Sequence, residues 1–440
     1  MRGLFRVGVC VCASALALVM ALSARVETQT QSSFAETLVR TGAATTAAAA
    51  ITDAPAGFDV ASNGFAEEYC ARQDHLSNTN TSPGVEDDEC SFDDAAAEFG
   101  SHETEADGVG PVFNAAGCGE CHIAPVLGGG SQIAERRAGF FNGVSFIEHP
   151  GGSLIHDRAL NLSELETVIE QKTNVFSFRG SQSLFGDGFV EAIGNSTFEA
   201  IAAAQPSSLR GQIINVAVLE KPGSTRVGRF GWKGQQASLL SFSADAYLNE
   251  IGITSPLQPD ENTSNGNRVD DDRIVDNDGG DVELFALFMR SLKVPPRNAD
   301  LANTQEANAG STLFDEAGCG VCHTRTIVTA EPGTSINGGA LKVAESLGNK
   351  RIHPFGDFLL HDIGTGDGIV QNGGAASRNK IRTAPLWGLH ARTRFMHDFE
   401  SHSIDDAIAR HGNQAEGARR AFNGLSRTDQ RRLLTFVRSL

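Results

Sequence analysis

One pentapeptide pattern occurs twice in this chain, as Cys118-Gly119-Glu120-Cys121-His122 and as Cys319-Gly320-Val321-Cys322-His323. C-x-x-C-H is the signal for covalent attachment of a c-type haem. Two thiols three positions apart on a helical turn reach both vinyl groups of one porphyrin. The residue after them then faces the iron as its proximal imidazole. A C-x-x-C can also be half of a zinc site or a thioredoxin-like redox pair. Zinc would draw four ligands at close range, and no other Cys lies near either motif. A redox pair has no need of the His. The chain is therefore expected to carry two c-type haems, held by Cys118 and Cys121 and by Cys319 and Cys322, with His122 and His323 on the irons.

The N-terminus agrees with such a protein. Arg2 and Arg6 precede an apolar run from Val7 to Leu22, with a small-residue site around Ala21-Leu22-Ser23. This reads as an export signal over residues 1–23. The run is short for a membrane anchor, and no other apolar segment of membrane length follows. The mature chain is expected to be soluble and exported, to a periplasm or beyond, with no membrane span. Haem attachment outside the cytoplasm fits that address. Cys10 and Cys12 would leave with the signal, so Cys70 and Cys90 remain. An oxidising compartment favours a disulfide between them over two free thiols. The net charge of −18 argues against nucleic acid as a partner. A small molecule or a basic electron-donor protein fits it better.

At 440 residues the chain is long enough for two or three domains. Residues 24–64, rich in Ala, Thr and Ser, read as a flexible leader. Residues 65–92 are polar and acidic and read as a loop closed by Cys70 and Cys90. Self-comparison says more. Pro111 to Cys118 matches Thr312 to Cys319 almost position by position. Phe113 and Phe314 would each sit on a short helix leading into the haem turn. Each half closes with apolar residues at helical spacing, first at Val282–Leu292 and then at Arg431–Leu440. The order predicts a mainly α protein of two cytochrome c-like domains, 65–297 and 303–440, each with one haem. The first is enlarged by an insert of roughly a hundred residues, far beyond an ordinary connection. The acidic run Asp270–Asp281 could take calcium but fails the EF-hand spacing, and a solvated loop is the plainer reading.

What the haems do depends on the sixth iron position. Outside the signal there are only two Met, Met289 and Met396. Met289 falls on a closing helix, so Met ligation at both irons is not expected. His361 and His397 flank loops of the second half, and any lone His is more often structural than a ligand. A second internal match singles out another, His411. Arg229-Phe-Gly-Trp232 precedes a helical run ending at Asn249-Glu250-Ile251-Gly252. Arg394-Phe-Met-His397 precedes one ending at His411-Gly412. Glu250 and His411 then occupy corresponding places.

These segments resemble the di-haem c-type oxidoreductases grouped with peroxidases and sometimes called thiol oxidoreductases, relatives of bacterial di-haem cytochrome c peroxidase and of the MauG enzyme. The resemblance runs from about residue 100 to the C-terminus. It rests on GVGPVFNAAGCGECH, GRFGWKGQQASLL, NEIGITSPL, GCGVCHT, HPFGDFLLHDIG, RTAPLWGL and RFMHDFESHSIDDAIARHG. It implies that His411 is the distal ligand of the C-terminal haem, in place of Met or Tyr. It implies that Trp232 lies between the haems and that Glu250 serves the distal pocket of the N-terminal haem. Trp387 reads as structural. The insert hides any distal His, with His149 and His156 as loose candidates. The implied activity is peroxidase-like. Electrons would arrive at the C-terminal haem and peroxide would react at the N-terminal one. The alternatives are an electron-transfer cytochrome without turnover, or MauG-like or thiol oxidation of another substrate.

Overall fold

Two pairs of helices hold the ends of the protein's core together. The computed structural model describes residues 50–73, 90–269 and 275–440. The export signal, the leader up to residue 49 and most of the 65–92 loop lie outside these, as do residues 270–274 of the acidic run. In the first pair, Ser91 caps the helix Phe92–Phe99 by accepting from the Asp94 N–H at 3.1 Å. Phe92, Ala95 and Phe99 bury one face of it. Phe99 stacks on Phe288 of the helix Gly280–Ser291, with ring centroids 4.6 Å apart. In the second pair, Thr304 caps Gln305–Glu316 and Ser426 caps Arg427–Arg438. Phe314 meets Phe436 edge-on at 5.4 Å. The backbones approach so closely that a Cβ on Gly310 would lie 1.9 Å from the Arg432 carbonyl oxygen, so only glycine fits there.

Between the pairs the chain is not helical in the manner expected. Helix accounts for 34% of the structure and strand for 15%, with the strands spread over six small sheets among the described residues. This corrects the reading of a mainly α protein made of two cytochrome c-like domains. The reason lies in the connecting segments, whose β-forming alternation and frequent glycines favour strands and turns over helix. The largest sheet centres on Ala134–Phe141, paired with Phe146–Glu148, Leu154–Ile155 and Val175–Gly180. Phe113 is corrected too. It lies on the strand Val112–Phe113, paired with Arg158–Ala159, and only Phe314 sits on a helix.

The described part of the expected leader carries backbone bonds. Thr52–Asp53 runs parallel to Lys350–Ile352, which pairs in turn with Ile327–Val328. Phe58 packs edge-on against Phe185. Cys70 and Cys90 are joined by a disulfide with Cα atoms 5.6 Å apart. A large core runs from Phe65 through Phe198 and Tyr247 to Ile352 and Trp387. A smaller one surrounds Phe314, Leu433 and Phe436. No helix among the described residues is long and apolar enough to cross a membrane.

Candidate haem sites

Both pentapeptides fold into the same turn. Cys118–Glu120 and Cys319–Val321 form single 3₁₀ turns, and the backbone N–H of His122 and of His323 returns to the carbonyl of its first Cys at 3.0 Å. The two imidazoles are fixed in the same way. His122 Nδ1 lies 3.1 Å from the Gly129 carbonyl and His323 Nδ1 lies 3.0 Å from the Phe355 carbonyl. A carbonyl only accepts, so Nδ1 carries the proton and Nε2 keeps its lone pair, as a metal-binding histidine requires. Burial holds His323 down to about 4, helped by the neighbouring His411, so the ring is neutral at ordinary pH. Burial pushes the thiols of Cys118, Cys121 and Cys319 up to about 12, 11 and 11.

Beside the second motif is a cavity of about 770 Å³ lined by Cys319, Cys322, His323 and His411. His411 ends the helix Ile404–Ala409, and its Nδ1 donates to the Ala407 carbonyl at 2.7 Å, again leaving Nε2 free. Apolar contact comes from Phe314, Leu433 and Val437. Arg382 and Arg392 line the same space, and burial brings both guanidinium groups down to about 10. An apolar cavity with two opposable imidazoles and a cationic wall fits a tetrapyrrole that carries carboxylates. The loops that shape it hold strained backbone. Phe355, Phe358, Met396 and Phe399 all have positive φ, which bulky residues rarely adopt outside functional sites.

His361 lines this cavity but is otherwise engaged. Its Nε2 meets Asp357 at 2.8 Å and its Nδ1 lies 3.7 Å from Cys322 Sγ. Burial alone would lower it, yet the Asp357 hydrogen bond carries it up to about 10, and both ring nitrogens already have a neighbour. His397 is buried, with no partner at Nδ1, and stands edge-on to Trp232 with centroids 6.1 Å apart. Trp232 donates through Nε1 to the Gly180 carbonyl at 2.7 Å. It lines the cavity of the second motif, as do Gly130, Ser131 and Gln132, while Cys118, Cys121 and His122 of the first motif do not line it. Trp387 is buried in the large core, and Met289 is buried in the helix Gly280–Ser291.

Near the first motif stands Glu250, on a single π turn, Tyr247–Ile251. Its carbonyl accepts from the Asn114 N–H at 2.7 Å and the Ala115 N–H at 3.0 Å, tying the turn to the segment that leads into Cys118. Such π turns are rare and frequent at functional sites. Burial, then the charge of Glu135, raise the Glu250 carboxyl well above the usual range. Glu135 and Arg137, both on the strand Ala134–Phe141, escaped the sequence reading. The one signal was three contiguous charges, Glu135, Arg136 and Arg137, at the start of a run that ends apolar. The loose candidates are structural. His149 bonds Pro150 O and the Ile169 N–H, and His156 bonds Glu166 and Asn249 O, so no ring nitrogen of either is free. Of the acidic run, Asp281 meets Glu98 and Glu103 with carboxylate oxygens within 4.8 Å, and accepts from the Tyr247 hydroxyl at 2.9 Å.

A family model described as "di-haem oxidoreductase, putative peroxidase" matches residues 157–440. The chain belongs to this family and is a haem oxidoreductase. The matched stretch contains Trp232, Glu250, the second pentapeptide and His411, while the first pentapeptide precedes it. Among solved structures, one of hydrazine synthase from Kuenenia stuttgartiensis, pressurised with 20 bar xenon, aligns over 91% of this chain and 100% of that chain. The identity is 14% and the TM-score 0.37. No curated protein matches the sequence.

Proposed function

We propose that this is an exported di-haem c-type oxidoreductase of the peroxidase kind, with electrons arriving at the C-terminal site and peroxide reduced at the N-terminal site. The carrying observation is an asymmetry between two otherwise equal turns. His323 shares its cavity with a second imidazole, His411, whereas Cys121 of the first motif has a raised carboxyl, Glu250, as its neighbour. A haem iron with two His ligands is closed and suited to electron transfer, and one with an open face can bind peroxide. The chain's part is to hold each porphyrin through Cys118 and Cys121 or Cys319 and Cys322, and to fix His122 and His323 in the ligating tautomer. Trp232, which lines the cavity of the second motif, is the group through which electrons cross. Glu250 carries the proton delivered to the leaving oxygen. Because His149 and His156 are bonded at both nitrogens, neither competes with peroxide.

Export is supported by the Cys70–Cys90 disulfide, which belongs to oxidising compartments. A basic electron-donor protein would be drawn by the net charge of −18.

The test is turnover of hydrogen peroxide with a reduced donor, beside spectra of both haems. Glu250→Gln is expected to lower kcat by about 10²–10⁴-fold with both haems retained. A variant with undiminished turnover would leave a plain electron carrier as the better account. His411→Met is expected to raise the potential of the C-terminal haem and to change its low-spin spectrum. An unchanged spectrum would remove His411 from the iron.

A further inference from the structure

Reducing hydrogen peroxide to two waters consumes two electrons and two protons. The acid beside the first motif must therefore hold a proton when the O–O bond breaks, and must regain it afterwards. Two carboxyls are placed there. Side chains alternate along Ala134–Phe141, so Glu135 and Arg137 share a face. Their register partners Arg179 and Ser177 mark it as the inner one, since Arg179 is buried against Asp367 at 2.6 Å. Arg137 Nη2 lies 2.7 Å from Glu135 Oε2 and 4.0 Å from Glu250 Oε1, so one guanidinium spans both carboxyls. Asn114 Nδ2 approaches Glu250 Oε2 at 3.4 Å.

Arg137 is 2.7 Å from Glu135 and 4.0 Å from Glu250, so its charge is spent mainly on Glu135. Glu250, buried beside a second carboxyl and farther from the guanidinium, is the one pushed towards its protonated form. The other groups facing this pair are Asp245 on the helix Leu239–Ala246, Glu148 on the neighbouring strand, and the Cys121 thiol and His122 ring of the first motif. Arg179 is already committed to Asp367. One guanidinium therefore serves several acids.

We propose that Glu135 and Glu250 form a single proton-holding unit clamped by Arg137, in which Glu135 is a positioning residue that keeps the transferable proton on Glu250. Its use in turnover rests on the peroxidase reading above, whereas the pair itself does not. In the step, the O–O bond and the Glu250 O–H bond break, and a new O–H bond forms on the leaving oxygen, which departs as water. The reducing partner protein supplies the two electrons, and the second proton comes from solvent to the other oxygen, which leaves as the second water. Glu250 is left ionised beside ionised Glu135, and this like-charge contact drives its return to the acid form by a proton from water.

The experiment is an infrared titration of the protonated-carboxyl C=O band in the full-length holoprotein, with the pH profile of kcat measured in parallel. In the parent, a protonated carboxyl persists beyond neutral pH and is missing in Glu250→Gln. In Glu135→Gln that band titrates at least about one unit lower, a tenfold loss of the protonated form, and the alkaline limb of kcat moves with it while KM stays. Arg137→Gln moves the band the opposite way, which a merely structural defect would not do, and it decides the matter should Glu135→Gln not fold. A band that neither variant moves overturns the pair. Band shifts as stated in a protein that does not turn over peroxide leave the pair standing and remove the peroxidase reading.

Discussion

Serine at both Cys319 and Cys322 is expected to yield a protein lighter by one covalently held tetrapyrrole, measured by mass under denaturing conditions, with the attachment at Cys118 and Cys121 intact. The two thiols open onto the cavity that also holds His323 and His411, and without their thioether bonds nothing covalent keeps a porphyrin there. Stability should follow. A ligand held by the folded state alone stabilises by about 2.7 kcal/mol when it is in hundredfold excess over its dissociation constant. Losing that at a site with Leu433 and Phe314 in its walls should lower the unfolding temperature by about 3 °C. Peroxide turnover driven by an external donor should fall to background, because the arrival point for electrons is gone. An unchanged mass would overturn covalent attachment at this motif, and with it the division of labour between the two sites.

What could be read before the structure was local. The two turns at Cys118 and Cys319 follow from five contiguous residues. The closing helices at Gly280–Ser291 and Arg427–Arg438 follow from apolar spacing within a dozen residues. The Cys70–Cys90 bridge followed from elimination among few cysteines. What could not be read depends on distant partners. The strand Ala134–Phe141 carries Glu135, Arg136 and Arg137, an unpromising run for a buried face. It becomes one because Val175–Gly180 pairs with it and Glu250 arrives from more than a hundred residues away. His156 looked as open as any other His, since neither Glu166 nor the Asn249 carbonyl announces itself as its partner. The expectation of a mainly helical protein failed for a related reason. Helix periodicity is legible at the two ends of each half, and it was extended across connecting segments whose small sheets depend on non-local pairing.

The same non-local logic places the largest stability effect at Glu191, which no sequence pattern singles out. It sits on the short helix Asp187–Glu191, 1% exposed, and gathers four segments. Arg290 donates to it through Nε at 2.7 Å and Nη2 at 3.1 Å, the Leu239 N–H at 2.8 Å, and Asn337 Nδ2 at 3.0 Å. Burial alone would raise this carboxyl, but the Arg290 charge and these donors take it from 4.5 down to about 2. Removing one partner of a buried pair strands the other, at a cost of about 3–5 kcal/mol. Glu191→Gln is therefore expected to lose about 3 kcal/mol at neutral pH in urea unfolding. The sign of the pH dependence follows from the depressed value. The folded state binds the proton less readily than the unfolded one, so the stabilisation is fully present above the ordinary carboxylate value. It is lost as pH falls from about 5 towards about 2. Parent and variant should accordingly differ most near neutrality and converge in acid. The exposed pair Asp53–Arg351, 3.0 Å apart, is the control, and Asp53→Asn should cost under about 1 kcal/mol. A Glu191→Gln penalty no larger than that control, or one that stays constant down to about pH 3, would mean that Glu191 is not the charged hub of this fold.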